Sequence, residues 1–203
     1  MKIAVLGAKI IGGALARKWA RAGHDVMFGV RNIDNPETQA LAQELAASVA
    51  TVAEAIAFGE VVVFAIPGSA MTETIAAHGL ALHGKIVIDA ANRISDGAMN
   101  SAADFAAHAP GAQIYRAFNS LGWENFENPI FGNLEADLFY CGPAGAGRDK
   151  VEELIRAVGL RPMCVGDLRQ VGLVDAIGSL WFALAFGQDM GRHLAFKVLT
   201  RPS

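Results

Sequence analysis

The chain has 203 residues, of which 53% are hydrophobic and 18% charged, with a formal net charge of −3. A slightly acidic balance without charge blocks excludes nucleic acid and anionic membrane surfaces as partners. The length fits one well-buried domain, or one domain with a helical appendage, and the high apolar fraction predicts a buried oligomer interface.

Ile3, Ala4, Val5 and Leu6 form a continuous apolar run, the pattern of a strand buried on both faces of a parallel sheet. The run is too short for the core of a signal peptide, so none is expected. A Gly-rich turn follows, and then a helix from about Ile10 to Ala22, stopped by Gly23. Gly7, Ala8, Lys9, Ile10, Ile11 and Gly12 thus stand in the strand–turn–helix context in which G-x-G-x-x-G binds a dinucleotide. Gly7 permits the tight turn. The helix offers its free N–H groups and positive dipole end to the diphosphate, and Gly12 lets it lie close to the strand. The middle glycine is replaced by Lys9. Its side chain either crowds the diphosphate, folds back onto it as a point charge, or turns to solvent.

The second strand is Asp25–Gly29. An NAD site would place a carboxylate at its end for the ribose 2′-hydroxyl. This chain has Gly29, Val30 and Arg31 instead, followed by Asn32. Losing the carboxylate removes repulsion against a 2′-phosphate, and Arg31 supplies a forked donor for it, so NADP is expected rather than NAD. Asp34 or Asn35 caps a helix that starts at Pro36 and runs to about Ala47. After a short strand, Ser48–Ala50, the pattern Thr51-Val52-Ala53-Glu54 is a capping box. Glu60–Ile66 is a strong strand whose exit, Ala65, Ile66 and Pro67, borders the ligand crevice of a doubly wound sheet. Met71–His78 is a crossover helix, and Lys85–Ala90 a strand whose exit loop carries Asn92 and Arg93. Ser101–His108, capped by Ser101 or Asn100, is a further helix. Gln113–Phe118 is the sixth strand, with Asn119 and Ser120 at its exit.

Strict alternation of strand and helix predicts an α/β fold, a Rossmann-type doubly wound, mostly parallel sheet with right-handed crossovers. Leu121–Asn133 has no clear period, which marks a functional or interface-wrapping loop. Ala136–Cys141 and Pro162–Val165 read as strands flanking a helix over Gly147–Val158. Apolar residues cover nearly every face between Leu173 and Phe186. Residues 168–203 are therefore expected to form a C-terminal helical extension, buried against the sheet and a second subunit, within one domain over 1–203. Asp175 and the short length argue against a membrane span. Arg192, His193 and Lys197 read either as serving a polar pocket or, preferred here, as a surface face with helix-end charges. Cys141 and Cys164 read as a buried pair of free thiols in a reducing cytoplasm, with no metal-ligand spacing.

With these residues in view, the chain resembles the small NADP-dependent oxidoreductases typified by the F420H2:NADP oxidoreductases. It also resembles the reductase domain of the membrane ferric reductases called STEAP. The marks are the N-terminal Gly turn, Gly29-Val30-Arg31, Ala65-Ile66-Pro67, Lys85-Ile86-Val87-Ile88-Asp89, Ala117-Phe118-Asn119-Ser120-Leu121-Gly122 and Phe196-Lys197. The family carries glycine at the position of Lys9, and often a small hydroxyl residue where this chain has Val30. The resemblance implies NADP(H) exchanging hydride with deazaflavin F420 or a flavin. Two rings stacked at hydride distance need no side-chain acid or base, so no catalytic residue is assigned. The cofactor-binding residues expected are Gly7, Ala8, Lys9, Ile10, Ile11, Gly12, Arg31, Asn32, Ala65, Ile66, Pro67, Asn92 and Asn119.

Two other readings remain. Reduction of a small carbonyl or imine calls for a positioned proton donor, with Asp89, Tyr115, His108 and Asp175 as candidates. A non-catalytic NADP(H)-binding sensor or regulatory subunit calls for none. The expected partners are a small redox acceptor and a second copy of the chain, in a cytoplasmic homodimer.

Overall fold

The computed structural model describes residues 1–94 and 98–201, so the last two residues of the expected extension lie outside the described residues. The apolar runs of the first half assemble into one sheet. Its strands are β1 (Lys2–Leu6), β2 (Asp25–Gly29), β3 (Ser48–Ala50), β4 (Val61–Phe64), β5 (Ile86–Asp89) and β6 (Gln113–Arg116). All pairings are parallel, in the order β3-β2-β1-β4-β5-β6. The chain is thus an α/β protein with a Rossmann-type doubly wound sheet, as its residue pattern predicts. The winding reverses between β1 and β4, which opens a crevice at the carboxyl ends of these strands.

Burial on both faces explains why β1 shows no polar alternation. Ile3 and Val5 point into one core, built with Ala14, Leu15 and Trp19 of α1 (Ile10–Arg21) and with α7 (Ala146–Val158). Ala4 and Leu6 point into the other, built with α3 (Val52–Phe58), α4 (Met71–His78) and α5 (Ala102–His108). Trp19 is fully buried, and its indole N–H donates to the Leu154 carbonyl at 3.0 Å. The helix starts follow local chemistry. Asn35 Oδ1 accepts the Thr38 N–H at 2.9 Å to cap α2 (Pro36–Leu45), and Thr51 and Glu54 close a capping box on α3.

The stretch without a period holds a short helix, α6 (Glu124–Glu127), and one arm of a small hairpin, β7 (Ile130–Phe131) with β8 (Leu134–Glu135). Beyond it, β9 (Asp137–Tyr140) and β10 (Arg161–Cys164) form a separate parallel pair around α7. One antiparallel bridge, between Arg116 and Cys141, ties the main sheet to the segment that follows β9.

The C-terminal segment has three features, the last two of which depart from expectation. The helix α8 (Val171–Phe182), continued by one wider turn over Ala183–Gly187, buries only one face, through Val174, Asp175, Gly178, Trp181 and Ala185. Leu173, Leu180 and Phe186 stay 55%, 46% and 53% exposed on the single chain. The segment Leu168–Gly187 has 20 residues and an 18-residue window of mean hydropathy 1.4, long and apolar enough to cross a bilayer by length and composition. Asp175 in its middle is fixed to Arg116 of β6 by an ion pair of 3.0 Å. Second, the helix ends before residue 188, and residues 188–200 run as an irregular strap. Third, Arg192 and Lys197 hold that strap down rather than serving a helix end. Arg192 forms a forked ion pair with Glu124 and lies over the Trp181 ring at 5.4 Å. Lys197 binds the buried Asp137 carboxylate at 3.0 Å, beside Arg161 at 2.7 Å and the Val198 N–H at 2.7 Å. The thiols are also unlike each other: Cys141 is buried, whereas Cys164 is exposed, and neither is bridged.

Burial alone would raise the Asp137 carboxyl pKa, but the bonds from Arg161, Val198 and Lys197 outweigh it and hold it below the ordinary value. Its contribution to stability is therefore full above that ordinary value and is lost as pH falls through the lower, folded one. Asp137→Asn should cost about 1–3 kcal/mol in urea unfolding, toward the low end because Arg161 is solvent-screened. It should also speed tryptic cleavage after Arg192 and Lys197.

Candidate functional site

The crevice between β1 and β4 is a cleft of about 470 Å³. Its floor is the turn between β1 and α1. Gly7 there has φ +97°, and its N–H donates to the Gly29 carbonyl at 3.0 Å. A Cβ on Gly7 would lie 2.6 Å from the Ala65 oxygen, so a side chain would push the β4 exit away. A Cβ on Gly12 would lie 2.0 Å from the Gly7 carbonyl oxygen, so only glycine lets α1 pack this close to the turn. Lys9 is different. It stands at the N-cap of α1 with φ −81° and ψ −158°, extended backbone open to any residue. The turn therefore requires two of the three fingerprint glycines and tolerates lysine at the middle position.

One wall is the exit of β2, with Val30, Arg31 and Asn32, backed by Asn35, Thr38 and Val52. Asn32 Oδ1 accepts the Asp34 N–H at 3.1 Å, which fixes the loop as an Asx turn. The facing wall is Ala65, Ile66 and Pro67, then Ala70, Glu73, Thr74, Ala77 and His78 along α4. Of the expected residues, the cleft gathers Gly7, Ala8, Lys9, Arg31, Asn32, Ala65, Ile66 and Pro67. Ile10 is exposed at the first position of α1, Ile11 packs against the core, and Gly12 lies beneath the turn. The wall from α2, α3 and α4 was not read from the sequence, since crossover helices carry no local mark of which face will border a ligand.

Asn92 and Asn119 stand outside this cleft, in a buried polar cluster at the ends of β5 and β6. Its centre is Arg116, which is fully buried. The guanidinium reaches Asp175 at 3.0 Å, Asp89 at 3.2 Å and Asn92 Oδ1 at 2.7 Å, and it also binds the Ala91 carbonyl. Asp89 accepts the Ser101 N–H at 2.9 Å, and Asp175 accepts from Asn100 at 2.7 Å. The Asn119 amide nitrogen lies 3.4 Å from Asp175. Burial raises the Asp89 pKa, against the pull of Arg116.

All four candidate proton donors are occupied or remote. Asp89 and Asp175 are held by Arg116. Tyr115 donates to the Pro143 carbonyl at 3.0 Å, and burial pushes its hydroxyl up to about 12. His108 is exposed at the end of α5. No cluster of metal-binding side chains occurs among the described residues. A second cavity of about 560 Å³ lies at the amino ends of the strands. Two of its cations are engaged, Lys150 with Glu60 at 3.0 Å and Lys85 with the Gly59 carbonyl at 2.7 Å, and it lies at the sheet end opposite the crevice of a doubly wound fold.

Residues 2–93 match the family described as NADP oxidoreductase, coenzyme F420-dependent. The chain is 29% identical to the F420-dependent NADP reductase of Methanothermobacter marburgensis, over the whole of both chains. It is 26% identical to the metalloreductase STEAP3 of Rattus norvegicus over 87% of its own length, but spans only 36% of that relative. A crystal structure from Arthrobacter sp. FB24, provisionally assigned as an F420-dependent NADP reductase, superposes with a TM-score of 0.83, covering 98% of this chain and all of that one at 24% identity. A Streptomyces aurantiacus imine reductase shares the fold with a TM-score of 0.71 at 18% identity, covering 91% of this chain and 61% of that one.

Arg116→Met would leave Asp89 and Asp175 buried without their cation. The expected loss is about 3–5 kcal/mol, measured by chemical denaturation. An unchanged midpoint would show that the cluster does not anchor α8.

Proposed function

We infer that this chain, an NADP-dependent oxidoreductase whose residues 2–93 match the F420-dependent family, exchanges hydride between NADP(H) and a deazaflavin or flavin ring. The observation that carries the cofactor reading is Arg31. It is exposed at the exit of β2, lines the cleft, and has no carboxylate partner among the described residues. No acidic residue stands at the end of β2 to repel a 2′-phosphate. The cleft fits the nucleotide: Gly7 and Gly12 bring the N-terminus of α1 to its floor, and Arg31 with Asn32 offers donors at its rim.

When bound, NADP(H) supplies or takes up the hydride. The chain's own work is to bind, orient and exclude water. The uncapped N–H groups of α1 would hold the diphosphate, and Arg31 would hold the 2′-phosphate. Ala65, Ile66 and Pro67 form an apolar wall that keeps water off the nucleotide. Asn92 and Asn119 act from behind, fixed by Arg116 and Asp175, so that the exit loops of β5 and β6 hold their shape. The ring-to-ring reading is favoured because Asp89, Tyr115 and Asp175 are engaged by other groups and His108, exposed at the end of α5, does not line the cleft, whereas reduction of a carbonyl or imine calls for a positioned proton donor. A non-catalytic NADP(H) sensor would bind as tightly and turn over nothing.

We place the protein in the cytoplasm as a soluble homodimer, with a second copy covering Leu173, Leu180 and Phe186. Light scattering at micromolar concentration should give twice the monomer mass, and Leu180→Glu should halve it. A monomeric wild type overturns this assembly.

Calorimetry should show NADPH binding more tightly than NADH. Arg31→Ala should remove the difference, a loss of about 1.5–3 kcal/mol, or roughly tenfold to a hundredfold. Steady NADPH oxidation with F420, FMN or riboflavin then supports the enzyme reading. Tight binding without turnover across that panel supports the sensor.

A further inference from the structure

Most cations of this chain have found partners. Arg17 binds Glu44, Lys150 binds Glu60, Arg161 binds Asp137 and Arg192 binds Glu124. Lys9 and Arg31 have no carboxylate partner among the described residues, and both line the same cleft. They reach it from different elements. Arg31 stands on the exit of β2, and Lys9 at the N-cap of α1, where no side chain caps the helix and no acidic residue occupies its first turn. The acidic lining residue is Glu73, which belongs to the α4 wall with His78. Two unpaired cations set apart in one cleft fit a ligand with two separated anionic groups.

The backbone at Lys9 is extended and unstrained, so lysine is sterically free there. It does, however, interpose a Cβ where a glycine would let the peptide come closest to a diphosphate. The ammonium on its flexible stem can cross that gap as a point charge. We propose that Lys9 is the diphosphate-binding cation of this site. It works separately from Arg31, which reads the 2′-phosphate, and it replaces the close backbone approach of a Gly-rich turn by charge. This rests on the NADP reading above. One consequence is that nucleotide affinity becomes sensitive to ionic strength at the diphosphate, since an exposed charge is screened by salt.

The test is calorimetry with three probes: NADPH, NADH and adenosine 2′-monophosphate, which carries the 2′-phosphate but no diphosphate. Wild type is compared with Lys9→Gln, Lys9→Gly and Arg31→Ala. Lys9→Gln, which keeps the Cβ but removes the charge, should weaken NADPH and NADH alike by roughly tenfold and leave adenosine 2′-monophosphate unchanged. Lys9→Gly should lose less, because the backbone regains its approach. Arg31→Ala should show the complementary pattern, weakening NADPH and adenosine 2′-monophosphate but not NADH. The salt dependence of NADH binding should be shallower in Lys9→Gln than in wild type. The proposal is overturned if Lys9→Gln binds NADPH as tightly as wild type, if Lys9→Gly binds it more tightly, or if either variant loses adenosine 2′-monophosphate. If wild type binds none of the three probes, the NADP reading falls and this assignment with it. Intact wild-type binding with silent Lys9 variants overturns the Lys9 assignment alone.

Discussion

A helix can approach the strand that precedes it only as closely as the side chains between them allow, and here that limit is set at one point. Gly12 packs so near the Gly7 carbonyl that a Cβ would sit 2.0 Å from the oxygen. This contact seats α1 on β1 and aims the helix N-terminus at the crevice. It also holds the turn against the exit of β4, where a Cβ on Gly7 would meet Ala65. The cleft's floor and its apolar wall therefore share one constraint. Lys9 escapes it, because its backbone is extended and its side chain lies exposed at the cleft.

The second organising interaction is electrostatic. Arg116 is buried at the end of β6 and answers two buried carboxylates on different elements, Asp89 from β5 and Asp175 from α8. Desolvating three charges is tolerable because the charged groups themselves are paired, by the Asn92 and Asn100 side chains, the Ser101 N–H and the Asn119 amide nitrogen, while Ser101 Oγ, Asn119 Oδ1 and Ser120 Oγ beside them are buried without a partner among the described residues. The cluster joins the late strands of the sheet to the C-terminal helix. It also takes two carboxylates out of consideration as proton donors, which bears directly on the chemistry this cleft can perform.

A third device closes the molecule. The strap after α8 carries no regular structure, yet Asp137 and Glu124 each collect basic side chains from it or beside it. Trp181 adds its indole N–H to the Leu194 carbonyl at 2.9 Å. The strap covers part of α8 and leaves Leu173, Leu180 and Phe186 open on the other side.

The sequence by itself determined the strands, the crossovers and the turn. Continuous apolar runs mean two buried faces, glycine at positive φ or at a close approach has no substitute, and Asn35, Thr51 and Glu54 cap helices by local hydrogen bonds. Arg31 at the exit of β2 was legible for the same reason, since its place follows from strand and turn alone. Only the tertiary structure decided what lies far apart in the chain. It put Glu73, Thr74 and His78 of α4 opposite Arg31, and it gave Asp89 and Asp175 to Arg116, 27 and 59 residues away. It set Asn92 beside Arg116 and Asn119 beside Asp175 at the ends of β5 and β6. It also left half of α8 exposed, although its composition is apolar on nearly every face. Periodicity reports which side of an element is apolar. Which neighbour arrives to cover that side, or to pair a buried charge, depends on contacts that no local pattern encodes.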